Sequence, residues 1–178
     1  MPRSHLENEI KLAIVQPARM RQRLRALGYE IKTPRRRERN WIYDDAAGHW
    51  TRQGRLLRLR QYGNRWLLTA KGPIIPGAHK TRREAQMELP EGRSFQALAE
   101  TLGLQATIGY EKYRTLWRHP QIAGEIAWDE TAAGDFLELE GTPSWVKRTA
   151  RALGYTPDDT IRKSYIELLH ATAKTSPE

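Results

Sequence analysis

The chain has 178 residues (20.6 kDa), with 30 Lys and Arg against 21 Asp and Glu: a formal net charge of +9 and a pI near 10. It has no cysteine, which excludes disulfides, thiolate zinc sites, iron–sulfur ligation and cysteine nucleophiles. Its charge predicts an anionic partner, while a mean hydropathy of −0.74, short apolar runs and no apolar signal core after Met1 predict a cytoplasmic protein without membrane attachment.

Period-2 alternation predicts a first strand over 5–14, with Leu6, Ile10, Leu12 and Ile14 on one face and Glu7, Glu9 and Lys11 on the other. A helix over 17–27 follows, with Met20, Leu24 and Leu27 in one stripe and Gly28 as its stop. The run Arg35-Arg36-Arg37-Glu38-Arg39 reads as solvated surface, the functional alternatives being steering of anions or weak RNA binding. A strand is expected over 38–45. Two more, 55–62 and 65–72, are joined at Gly63-Asn64 and end at Gly72-Pro73. They set Arg58 and Arg60 against Leu57 and Leu59, then Lys71 against Trp66, Leu68 and Ala70.

In a fifth strand, 79–88, Lys80, Arg82, Glu84, Gln86 and Glu88 share a face. A helix over 95–102 is capped by Ser94. Strands over 107–118, 121–129 and 134–141 place Lys112 and Arg114, then Glu125 and Asp129, then Glu138 and Glu140 opposite apolar residues. Thr142-Pro143 opens a helix over 143–153, and Asp158 or Asp159 begins a last helix over 160–172 whose buried side includes Tyr165. One domain over 1–174 is expected, with a loose tail over 175–178.

Such alternation commonly means an antiparallel sheet with one face in water. These polar faces, however, are almost wholly ionic, and the helices supply enough apolar stripes to cover the outside of a closed sheet. The sharper expectation is an α+β fold: an eight-stranded antiparallel β-barrel with a charged lumen and about four peripheral helices. Buried charges must pair or meet a ligand of both signs. A polyphosphate with Mg2+ or Mn2+ satisfies both, since Lys and Arg take phosphate oxygens and carboxylates take hard cations.

Glu7-Asn8-Glu9-Ile10-Lys11 has the form E-x-E-x-K. Behind it come Tyr43-Asp44, Leu57-Arg58-Leu59-Arg60, Lys71-Gly72-Pro73, Arg82-x-Glu84, Lys112-x-Arg114 and Asp129-Glu130. The series ends with Gly134-Asp135-Phe136-Leu137-Glu138-Leu139-Glu140 and Lys163-Ser164-Tyr165-Ile166-Glu167-Leu168-Leu169. In this order, over nearly the whole length, the chain resembles the CYTH, or triphosphate tunnel metalloenzyme, superfamily.

The resemblance implies a tunnel that binds a triphosphate end-on with divalent metal. It makes Glu7, Glu9, Glu138 and Glu140 metal-binding carboxylates, with Asp129 assisting. Lys11, Arg58, Arg60, Lys71, Arg82, Lys112 and Arg114 become the phosphate clamp; Glu84 orients the basic residues, and Lys163 reaches the mouth from the last helix. Glu7, Glu9, Lys11 and Lys71 are the residues it assigns to catalysis. Members of the superfamily hydrolyse inorganic triphosphate, thiamine triphosphate, nucleoside triphosphates or the 5′-triphosphate of RNA, or cyclise ATP as class IV adenylyl cyclases. Ile42-Tyr43 departs from the tyrosine pair of thiamine triphosphatases, and Gln86 stands where many members have a glutamate.

The leading expectation is therefore a metal-dependent triphosphatase acting on inorganic triphosphate or a nucleoside triphosphate. An adenylyl cyclase stands second and a non-catalytic polyphosphate- or RNA-binding module third. Nucleic acid is disfavoured as the partner, and a homodimer is compatible with the resemblance. No phosphate loop, dinucleotide fingerprint or nucleophile elbow is present, and the five histidines lack zinc spacing.

Overall fold

The computed structural model of the chain describes residues 3–76 and 80–173, with side chains excepted at 3–7, 80, 172 and 173. The elements run β1 (Arg3–Ala13), α1 (Pro17–Ala26), β2 (Glu30–Asp45), α2 (His49–Arg52), β3 (Leu56–Tyr62), β4 (Arg65–Ile75) and β5 (Lys80–Leu89). They continue with α3 (Gly92–Thr101), β6 (Leu104–Arg118), β7 (Glu125–Thr131), β8 (Gly134–Glu140), α4 (Pro143–Ala152), β9 (Thr160–Ile161) and α5 (Tyr165–Ala173). Hydrogen-bonded neighbours follow the order β5-β4-β3-β2-β6-β7-β8-β1-β9, and β5 also pairs with β1. The circuit is a closed eight-stranded antiparallel barrel with one short extra strand, as the strand faces implied. Among the described residues no helix is long and apolar enough to cross a membrane.

Beyond the added α2 and a β7 that starts at Glu125 rather than 121, three differences from the sequence expectation have a local physical reason. First, β2 starts at Glu30, eight residues early. Most of its first half is exposed and contains Pro34, so no apolar alternation marks it as a strand. Arg35, Arg36 and Arg37 are exposed, as expected for a solvated run, but they lie in that strand. Second, α3 begins at Gly92, and Ser94 sits inside its first turn, donating to Glu91 at 2.9 Å.

Third, the last helix begins at Tyr165. Asp159 instead closes a 3-10 turn (Pro157–Asp159) by accepting from the Thr156 amide and hydroxyl at 2.7 and 2.8 Å. Thr160 and Ile161 then pair with Leu12 and Lys11 of β1. Ser164 and Glu167 form the reciprocal cap that actually starts α5.

Contacts divide the chain into two compact units: 1–7 with 37–111, and 8–36 with 112–178. In the first, β3 turns Leu57 and Leu59 onto Tyr43 of β2 and onto Phe95 and Ala99 of α3. Trp41 stacks on Trp66 at 5.7 Å, and Tyr43 meets Phe95 edge-on at 5.0 Å. Asp44, next to last in β2, has both oxygens spent on the next turn. It accepts from the amides of Asp45, Trp50 and Thr51 and from the Thr51 hydroxyl, at 2.7–3.0 Å.

In the second unit, Ile10, Leu12, Trp117, Ile126, Trp128, Leu137 and Leu139 project from β1, β6, β7 and β8 onto Leu24 of α1 and onto Trp145, Val146 and Ala150 of α4. Thr142 caps α4 by accepting from the Trp145 amide at 3.4 Å, with Pro143 opening its first turn as expected. Trp145 lies so close to Gly124 and Gly141 that a Cβ on either would stand 2.4 or 2.7 Å from its ring. Only glycine fits at those two positions.

Candidate functional site

In both units the strand face opposite the apolar cluster carries charges at or near full burial. In the first unit β3 contributes Arg58 and Arg60, β4 Lys71, β5 Arg82 and Glu84, and β2 Glu38. Lys71 Nζ lies 2.6 Å from Glu84 Oε2, and Arg60 Nε lies 3.5 Å from Glu38 Oε1. Asn40, 1% exposed, donates to the same Glu38 oxygen at 3.1 Å. Burial alone would pull the Arg58 guanidinium below its ordinary pKa, but the Tyr110 hydroxyl, Glu38 and Glu84 outweigh it and raise the pKa. The buried Thr69 hydroxyl donates to Gln86 Oε1 at 3.1 Å, a bond in which the amide oxygen serves without a second negative charge.

In the second unit the centre is Asp129, fully buried. Lys112 Nζ reaches Asp129 Oδ2 at 2.6 Å, and Arg114 grips both carboxylate oxygens through Nε and Nη2 at 2.7 and 2.6 Å. Arg114 Nη2 also donates to Glu138 at 2.5 Å, and Lys11 Nζ lies 3.7 Å from the other Glu138 oxygen. Tyr165, the first residue of α5, donates its hydroxyl to Asp129 Oδ2 at 2.6 Å. Its ring lies under Lys11 Nζ at 3.8 Å and under Lys112 Nζ at 4.2 Å. Burial, then the Glu138 and Asp129 charges, push the phenol pKa well above its ordinary value of 10.0, so the hydroxyl keeps its proton and remains a donor.

Strand register orders the carboxylates. Glu9 of β1 faces Glu140 of β8, which on its other side faces Glu125 of β7. One row along, Lys11 faces Glu138. Glu9 is half-buried and Glu140 exposed. The Glu7 side chain lies outside the described residues, and so does the 175–178 tail. Among the described residues no group of three or more His, Asp or Glu converges as a ready-made metal cage.

Arg58, Arg60, Lys71, Arg82 and Glu84 thus share a face in the first unit, and Lys11, Lys112, Arg114, Asp129 and Glu138 meet in the second. Lys163 is placed differently from the expectation. It lies in the segment before α5, its side chain exposed, and its backbone carbonyl is what accepts from Lys11 Nζ at 3.1 Å. The cause is the later start of the helix.

Sequence reasoning missed Glu38, Asn40, Tyr110 and Tyr165 as site residues. Glu38 and Asn40 share the strand parity of Asp44, but the arginines around Glu38 masked them. Tyr165 was read only as a buried apolar position on a helix.

Comparisons with known proteins bear on the fold and the family. A protein of Methanocaldococcus jannaschii, provisionally named adenylate cyclase, is 28% identical over 173 residues, covering 92% of this chain and 98% of its own. Among solved structures, a provisionally named adenylate cyclase from Vibrio parahaemolyticus superposes with a TM-score of 0.80 at 20% identity, over 94% of this chain and 99% of that one. A Hippeastrum protein, provisionally named adenylyl cyclase and described as having a dominant triphosphatase activity, gives 0.65 at 16% identity, over 94% and 95%. These structures share the barrel. The CYTH domain matches residues 5–165, so the chain belongs to the CYTH domain family.

Proposed function

We propose that the protein is a divalent-metal-dependent triphosphatase acting on inorganic triphosphate or a nucleoside triphosphate. The observation that carries this reading is the makeup of the ionic strand faces. Among the described residues seven largely buried basic side chains, Lys11, Arg58, Arg60, Lys71, Arg82, Lys112 and Arg114, stand on them beside the buried or largely buried carboxylates of Glu38, Glu84, Asp129 and Glu138. Desolvated cations in such number suit a polyanionic ligand, and the phosphates of a triphosphate supply charge at the required density.

The donor set also suits Mg2+ or Mn2+. Such ions are held by one or two carboxylates together with substrate phosphates rather than by an all-protein cage, and the opposed Glu9 and Glu140 are hard oxygen donors of that kind. Glu7 belongs to this set by sequence, and Glu138 adjoins it. When bound, the metal supplies charge neutralisation on the phosphates and eases activation of water. Asp129 acts on this reading through Lys112 and Arg114, which it holds in place, and Glu84 does the same for Lys71. The clamp cations neutralise the charge that develops as water attacks the terminal phosphorus and the phosphoanhydride P–O bond breaks.

Cyclisation of ATP is the second reading, favoured by the name of the Methanocaldococcus jannaschii relative. Incubation with Mg2+ or Mn2+ and either tripolyphosphate or ATP, followed by 31P NMR, separates the outcomes. Orthophosphate supports the triphosphatase, and pyrophosphate with cyclic AMP supports the cyclase. Tight binding with no turnover would make the protein a polyphosphate-binding module.

A further inference from the structure

A cleft of about 810 Å³ opens in the second unit beside the β6–β7 connection, against the first residues of β2. We propose that it binds the nucleoside part of a nucleoside triphosphate. This rests on the triphosphate reading above and narrows it, because inorganic triphosphate would leave the cleft without a role.

Continuity with the ionic face comes first. Glu140 lines the cleft and is the cross-strand neighbour of Glu9, one row from the Lys11–Glu138 pair. A phosphate chain held by Lys11, Lys112 and Arg114 therefore has this cleft next to it along the strands of the same unit. The cleft volume falls within the roughly 300–1,000 Å³ usual for small-molecule sites.

The lining indicates what the occupant is. Ile31 and Ile122 both face the cleft and are 48% and 45% exposed, an apolar surface that a phosphate chain has no means of covering and the faces of a base do. Arg118, also at the cleft, is already spent on Glu125, with Nε to Oε2 at 2.7 Å, so its charge is not held open for an anion. Gln121, whose side chain can both donate and accept, completes the polar edge that a base and ribose require.

The test compares the best bound of ATP, GTP, CTP and UTP with tripolyphosphate, each with Mg2+, by calorimetric titration and by turnover. It uses wild type and the double variant Ile31→Ser with Ile122→Ser. Both isoleucines are half in water, so the double variant keeps the fold, which circular dichroism verifies. The double variant is expected to raise Kd and KM for the nucleotide about tenfold while moving the tripolyphosphate values less than about twofold. Equal effects on both ligands, or none on the nucleotide, would overturn the proposal while leaving the triphosphate reading standing. A wild-type protein that binds neither ligand would sink both.

Discussion

Tyr165 does two separable jobs at Asp129: its hydroxyl satisfies a carboxylate oxygen, and its ring seats the ammonium groups of Lys11 and Lys112. The variants Tyr165→Phe and Tyr165→Leu divide them. Losing the hydroxyl bond to a buried charge is expected to cost about 1.5–3 kcal/mol in urea unfolding. Phe keeps the ring, so its KM for tripolyphosphate stays within about twofold; Leu removes the ring, and the two seated ammoniums predict a KM rise of about tenfold. Identical KM values for the two variants would show that the ring seats nothing.

Asp44 predicts a pH dependence. Burial would raise its carboxyl pKa, but hydrogen bonds from the Thr51 hydroxyl and amide and from the Trp50 and Asp45 amides outweigh that and hold it below the ordinary 3.8. A native pKa below the unfolded one gives stability that is complete well above pH 3.8 and is lost as pH falls through the native value. Asp44→Asn is thus expected to be less stable at pH 7 by about 1 kcal/mol, the size of a lost capping interaction. The gap to wild type should shrink in urea titrations as pH falls below 3.8. A gap that stayed constant with pH would mean the charge contributes nothing.

Two opposing effects meet at the start of α3. Gly92 to Ala would favour the helix by up to about 1 kcal/mol on propensity alone. A Cβ there, however, would stand 2.4 Å from the Trp66 ring, which is itself stacked on Trp41. Overpacking of this kind costs about 1–3 kcal/mol, so Gly92→Ala is expected to lower stability, and a raised Tm would contradict the packing.

How much could be read in advance also depends on the element. Wherever a strand has one face on apolar residues and one on charges, as β3 and β8 do, alternation placed it and named its site residues. The first half of β2 has no buried face, so no period exists to detect. At Thr156–Glu167 two competing caps sit eight residues apart, and which one starts a helix is decided by the pairing of Ile161 with Lys11, a contact no local pattern contains.

At the scale of the molecule, net charge is a poor guide to the site. The +9 arises from exposed arginines such as Arg35, Arg36 and Arg37 as well as from the clamp, and the clamp itself contains both signs. Arg35 is held on the surface by Glu130 at 2.6 Å and lies over Tyr113 at 3.6 Å, while Arg37 binds Glu111 at 2.5 Å. These cations are paired at the exposed surface, which separates them from the buried strand-face residues. The ordered motifs were legible because a charge on a desolvated strand face tolerates few substitutes. Tyr165, which supports the charges through a ring and a hydroxyl, carries no such mark in the sequence.

The reach of Lys11 across the chain has a consequence for biosynthesis. Its backbone pairs with Glu138 and with Ile161, and its ammonium binds the carbonyl of Lys163, 152 residues away. While the chain emerges from the ribosome, β1 comes first; its neighbour β5 follows midway, but β8 and β9 exist only after most of the chain has been made. Pairings this distant in sequence make assembly slow and leave early strand edges open. The alternation of Glu9 and Lys11 along β1 fits that interval, because charges on a waiting edge discourage it from pairing with another nascent chain. The residues proposed to bind metal and phosphate would then serve the protein once before any substrate arrives, as guards of an unfinished strand.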